Sequence, residues 1–172
     1  MAKFEVVAEK TFRNEEIERE LLAYIVKKKP MIALKILPEW FSSSIYGNVF
    51  KILRDVKATV SKAALLNELI NRKIIHKGER QIYIDAVEEI YDAHLNGMND
   101  KSAQFNINTL IQMFEGRSIL YGIRDIATSL NTLTVEDMKN KLKELGSGTK
   151  LPEEIISGDY VAGFDARLKI KA

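Results

Sequence analysis

Two adjoining stretches decide how this chain folds: NTLIQMFEGRSILYGIRDIATSLNT, residues 108–132, and TVEDMKNKLKELG, residues 134–146. In the first, Leu110, Met113 or Phe114, Leu120, Ile123, Ala127 and Leu130 recur close to every 3.5 residues. That is the period at which helices pack along one another. Gly116 and Gly122 interrupt it. A glycine inside a helix costs roughly 1 kcal/mol relative to alanine, and either a close approach of another backbone or a kink accounts for such a position. The second stretch opens on Thr134 with Asp137 three residues on, a capping box with Asp in place of Glu. Met138, Leu142 and Leu145 form its apolar face, and Gly146 is a natural stop. Two or three residues join the helices, so they run antiparallel. Their seam leaves apolar surface over on Phe114, Leu120 and Tyr121. Such surface meets another subunit, or folds back on residues 14–97 to make one core.

Upstream of this hairpin the chain reads as a compact helical unit over 14–97. Asn14 caps a helix whose first turn holds Glu15 and Glu16 and whose face carries Ile17, Leu21 and Ile25; Pro30 ends it. The run Lys27-Lys28-Lys29 sits where cations favour the negative end of the helix dipole. A short helix follows through Ile32, Ile36 and Leu37, then a loop at residues 38–41. The serine run 42–44 caps a helix bearing Ile45, Val49, Ile52, Leu53 and Val56. Ser61 caps another with Leu65, Leu66, Leu69 and Ile70. Residues 72–80 read as a loop, and a fifth helix carries Tyr83, Val87, Ile90 and Tyr91 to the turn Asn96-Gly97. The polar stretch 99–106 is the expected boundary before the hairpin of 105–146. Residues 1–13 alternate apolar and polar (Phe4, Val6, Ala8, then Phe12), as a short strand or extended arm would. The expected class is all-α.

Bulk properties exclude several functions. The 172 residues are 46% hydrophobic and 29% charged, with no cysteine and a net charge of +2. No disulfide or thiolate metal site is available, and no apolar run approaches the roughly 18–20 residues of a membrane span. Residues 1–10 carry acids and no signal-peptide core. Residues 1–104 hold 17 basic and 15 acidic side chains, and the remainder 9 of each. A domain that grips nucleic acid alone shows a basic surplus on some segment. The second helix of the helix pair 44–71 also lacks the basic clustering of a recognition helix. His76 and His94 have no metal-site spacing, the serines lack a hydrolase elbow, and residues 146–150 follow a helix without the Gly-Lys-Ser/Thr ending of a phosphate loop. No catalytic, cofactor or metal site is expected.

Several segments resemble the N-terminal domain of DnaB-type replicative DNA helicases. Ile17-Glu-Arg-Glu-Leu-Leu-Ala-Tyr-Ile25 is similar to the family's first helix. Phe41 with Val49-Phe50 resembles its short-loop phenylalanine and the aliphatic-phenylalanine pair of its third helix. Thr59-Val60-Ser61 looks like the turn into its fourth helix, and Glu115-Gly-Arg117 falls where its arm helix carries an arginine-glutamate cluster. The likeness spans roughly 14–146. It departs at Tyr46, where the family has a histidine, and at Glu39-Trp40, where it has an acidic pair. Residues 158–167 look like a phage-type linker leading to the motor domain, which makes 147–172 the start of that linker.

The resemblance implies a non-catalytic collar that holds a dimer or hexameric ring together and docks primase or a helicase loader. ATP and Mg belong to a motor domain outside this chain. DNA is met only through the assembled full-length helicase, no membrane is involved, and the setting is the cytoplasm of a bacterial or phage-infected cell. The expected subunit contacts are Leu110, Phe114, Leu120, Tyr121, Ile123, Met138 and Leu142. A free-standing helical protein–protein adaptor using the same arm is the alternative.

Overall fold

The computed structural model describes residues 12–28, 31–56 and 60–148. Among them the secondary structure is all helical: α1 (Glu15–Lys28), α2 (Ser44–Asp55), α3 (Lys62–Asn71), α4 (Arg80–Asp92), α5 (Asp100–Thr128) and α6 (Val135–Gly148), with short 3₁₀ turns at Met31–Lys35 and Pro38–Trp40. The all-α expectation holds. The arm over residues 1–11, Lys29, Pro30, Thr59 and the linker over 149–172 lie outside the described residues. The chain forms two units, Asn14–Leu110 and a second made of 1–13 with 111–172.

In the first unit α1 packs on α4 and α2, while α3 packs on α2 and α4. Each helix contributes a set that includes positions three or four apart: Leu21, Leu22 and Ile25 from α1, Val49, Phe50 and Ile52 from α2, Leu65 and Leu69 from α3, Tyr83, Val87 and Ile90 from α4. That spacing puts one apolar stripe per helix into a shared core. Trp40 is fully enclosed, and Phe41 stacks on Phe50 with ring centroids 5.3 Å apart. Gly47 lets α2 approach the turn before it. A Cβ there would lie 3.0 Å from the Pro38 carbonyl oxygen.

The expected caps are present. The Ile17 amide donates to Asn14 Oδ1 at 3.1 Å, the Tyr46 amide to Ser43 Oγ at 3.3 Å, and the Ala64 amide to Ser61 Oγ at 3.1 Å. α3 ends in a Schellman motif, with the Ile74 amide donating to Leu69 O and the Lys73 amide to Ile70 O. Lys73 takes the left-handed position at φ 57° that glycine usually fills. Lys27 serves a helix other than its own, since its ammonium donates to the Ala93 carbonyl just past α4.

A buried charge organises the start of α2. Glu18 is 1% exposed, and its carboxylate accepts from the Ser42 amide at 2.9 Å, the Ser43 amide at 3.1 Å and the Ser42 hydroxyl. Ionised oxygens take such donors strongly, and a buried carboxylate needs them. Tyr24 donates to Asp100, the first residue of α5. That bond and the burial of Tyr24 push the phenol up to about 12.

Three expectations are corrected here. The short helix expected through Ile32, Ile36 and Leu37 is present as the 3₁₀ turn Met31–Lys35, but it stops before Ile36 and Leu37. The polar stretch 99–106 is helix: α5 starts at Asp100, with Asn99 Oδ1 accepting from the Ser102 amide at 3.0 Å. Within it Ala103, Ile107 and Leu110 are 0%, 3% and 2% exposed, so a narrow buried stripe runs through a segment otherwise polar except for Phe105, which is 67% exposed. The division between units accordingly falls inside α5, after Leu110. Gly146 does not end the last helix, which continues to Gly148.

Candidate subunit-contact surface

The second unit is a helical hairpin. After α5, the Ser129 amide donates to Ile126 O and the amides of Thr132 and Leu133 donate to Ser129 O, which turns the chain. The capping box then starts α6: the Asp137 amide donates to Thr134 Oγ1 and the Thr134 amide to Asp137 Oδ2, both at 3.1 Å. The Thr134 amide, then its hydroxyl, hold the Asp137 carboxyl below its ordinary value. From that start α6 runs back along α5, so that Leu145 meets Gly122. A Cβ at Gly122 would lie 2.4 Å from Leu145 Cδ1.

Gly122, Asp125 and Ile126 of α5 and Ser129 just after it, with Lys141, Glu144 and Leu145 of α6, line a groove of about 290 Å³ on one side of the hairpin. Asp125, Lys141 and Glu144 are its charged members. A different side of α5 carries Met113, Gly116, Leu120, Ile123 and Ala127, continued by Leu130 in the turn. At 100° per residue the five within α5 fall within about 80° of one another, centred roughly 150° from the groove positions of the helix. With Leu130 the intervals are 3, 4, 3, 4 and 3 residues, the spacing of a coiled-coil seam. α6 does not cover it: Ile123 is 39% and Leu130 53% exposed. On α6, Val135 and Leu142 are 66% and 56% exposed. Turning the two antiparallel helices from their Gly122–Leu145 contact places these four on the edge away from the groove.

The two helix-interior glycines have one explanation. Each receives a side chain of the same unit, where a backbone neighbour or a kink was expected. Leu145 occupies the space over Gly122. At Gly116 a Cβ would lie 2.5–2.7 Å from three atoms of the Phe12 ring. The Phe12 carbonyl also accepts from Arg117 Nη1 at 2.6 Å. The end of the expected N-terminal arm is thus fastened to α5.

The seven expected contact residues do not form one surface. Leu110 is interior to the first unit, for the reason given by its Ala103–Ile107–Leu110 stripe, and offers no side chain to a partner. Leu120 and Ile123 sit on the seam, the first half-buried and the second exposed. Leu142 is exposed on α6, and Met138 is half-buried. Phe114 and Tyr121, both half-buried, share a side of α5 turned roughly 150° from the seam. There the Arg124 guanidinium lies 5.0 Å from the Tyr121 ring centroid. Leu130 and Val135 belong with the seam edge; Leu130 already lay in the 3.5-residue repeat, and Val135 had no signal of its own.

His76 and His94 are exposed, and no group of three metal-capable side chains occurs among the described residues. No described helix is long and apolar enough to cross a membrane. Compared with known proteins, the chain matches no family model, no curated protein and no solved structure.

Proposed function

We propose that this chain is a non-catalytic assembly module, the N-terminal collar part of a DnaB-type replicative DNA helicase, whose hairpin holds copies of the chain together. The observation that carries this is the seam Met113–Gly116–Leu120–Ile123–Ala127–Leu130, of which Ile123, Ala127 and Leu130 are exposed. A seam of that period fits a helix with the same period, and a second copy supplies one. In a two-fold pair the same patch serves both sides. The order of elements, a compact helical unit followed by a long helix and an antiparallel return, agrees with what the family resemblance implies. In this reading the collar also docks primase or a loader. ATP and Mg are handled by a motor domain outside this chain, and DNA is met by the assembled ring.

Light scattering across a range of concentrations tests the assembly. The full chain is expected to form dimers or larger species. The double variant Leu120→Asp with Ile123→Asp is expected to lower the mass with the far-ultraviolet circular dichroism intact, because it places charge where apolar contact forms. A wild-type chain that stays monomeric throughout overturns the assembly role. Titration with primase and with a helicase loader tests the rest. An assembling chain that binds neither is the helical adaptor instead.

A further inference from the structure

We infer that the groove between the 3₁₀ turn Pro38–Trp40 and α2 holds an extended peptide segment of a partner protein, with acidic side chains at one end of that segment. The groove has a volume of about 480 Å³ and lies wholly within the first unit, so the inference does not rest on the assembly reading above. Leu37, Pro38 and Phe41 give it an apolar lining, and Ser44, Asn48, Lys51 and Arg54 of α2 a polar one. At 100° per residue those four span about 120° of the helix. From Ser44 to Arg54 the rise of 1.5 Å per residue makes a wall about 15 Å long. That is the reach of about four residues of extended chain, and more than a single small anion needs.

Charge selects the occupant. Lys51 and Arg54 stand one turn apart toward the end of α2. Arg54 Nε is 3.9 Å from Asp55 Oδ1, the outer limit of an ion pair, and the guanidinium keeps donors for a second carboxylate. The start of α2 is closed to an incoming anion, because Glu18 already takes the Ser42 and Ser43 amides and Ser43 Oγ takes the Tyr46 amide. An acidic side chain is therefore drawn to the Lys51–Arg54 end. Asn48 lies one turn before Lys51. Its Nδ2 donates to Tyr83 Oη at 2.8 Å, which orients the amide and leaves its oxygen able to accept a main-chain N–H. Glu39, exposed on the turn, is the acid in the lining. A nucleic-acid strand carries a phosphate at every step and meets that carboxylate as a like charge. A peptide with its acids at one end and apolar side chains at the other avoids it and uses the apolar lining as well.

The test is fluorescence anisotropy of rhodamine-labelled probes titrated with the full chain. The probes are the peptides Leu-Leu-Glu-Glu and Glu-Glu-Leu-Leu, which cover both chain directions, Leu-Leu-Lys-Lys as the charge control, and oligothymidylate as a polyanion. At least one acidic peptide is expected to bind at protein concentrations up to about 1 mM, and the lysine peptide about tenfold more weakly. Lys51→Glu with Arg54→Glu is expected to weaken the acidic peptide about tenfold with the circular dichroism unchanged. Should that variant lose helical signal, Lys51→Gln with Arg54→Gln decides, with a loss of about fivefold expected. Glu39→Lys is expected to admit oligothymidylate that the wild type binds less well than the peptide. Failure of both acidic peptides to bind overturns the inference, as does equal binding of the lysine peptide, which would make the groove merely apolar. An affinity unchanged by loss of the two cations overturns it too. Oligothymidylate bound more tightly than either acidic peptide by the wild type would make the groove a surface for polyanions and overturn the peptide assignment. None of these outcomes depends on whether the chain is monomeric.

Discussion

The hydroxyl of Tyr24, in the middle of α1, donates to the carboxylate of Asp100, the residue that opens α5. The bond has a pH signature. It raises the phenol to about 12 in the folded chain, against 10.0 for a free tyrosine. A group whose folded value is raised contributes stability that is fully present below the unfolded value and lost as pH climbs to the folded one. Urea midpoints are therefore expected to be steady up to about pH 10 and to fall between about pH 10 and 12. Tyr24→Phe is expected to lower stability by about 1–2 kcal/mol at neutral pH, and to remove this residue's share of the alkaline fall. A variant whose alkaline fall is as steep as wild type's would show that Tyr24 is not its source.

Glu18 is the buried charge on which the start of α2 depends. Replacing it with alanine leaves the Ser42 and Ser43 donors without their acceptor in a closed setting. Glu18→Ala is expected to cost about 2–4 kcal/mol. Glu18→Gln keeps the shape but only one acceptor oxygen and is expected to fall between. Chemical denaturation measures both, and faster amide exchange at Ser42 and Ser43 in Glu18→Ala would localise the effect.

The contact between Gly122 and Leu145 predicts a compensating pair. Gly122→Val is expected to destabilise the hairpin by about 1–3 kcal/mol, because the new branch meets the leucine before the helices can close. Adding Leu145→Ala is expected to recover most of that loss. Hydrogen exchange along α6 reads it directly. Equal exchange in Gly122→Val and wild type would mean that Leu145 turns aside without cost.

Thr134 and Asp137 cap α6 reciprocally. Thr134→Ala is expected to cost the helix about 1 kcal/mol. The acid limb has a definite sign. Asp137 is held below its ordinary 3.8, so its contribution is present above that value and disappears as pH falls further. Asp137→Asn is expected to flatten the acid dependence of α6 protection, and an unchanged profile would assign that dependence to other carboxylates.

Features that depend on residues three or four apart were legible in the sequence, because the partner lies within the same turn. Asn14, Ser61 and the Thr134–Asp137 pair are such cases, and the all-helical class followed from them and from the apolar spacing. The start of α5 was not legible. Ala103 and Ile107 stand among polar residues and an exposed phenylalanine, Phe105, and only their burial inside the first unit reveals why the helix begins there. Glu18 was equally silent, since an acid near a helix start has a sufficient local explanation. The contact surface was half legible. Its period was plain, but which side α6 would take depended on Gly122, and Gly116 read as an interruption because its neighbour comes from the other end of the chain.

Substitution tolerance along α5 should run opposite to side-chain size. Large residues on its outward sides can be exchanged for others of similar character. A side chain at Gly116 or Gly122 must instead displace a distant one, Phe12 or Leu145, that occupies its space. Random mutagenesis of the hairpin would therefore accumulate its damage at the two smallest residues of its longest helix.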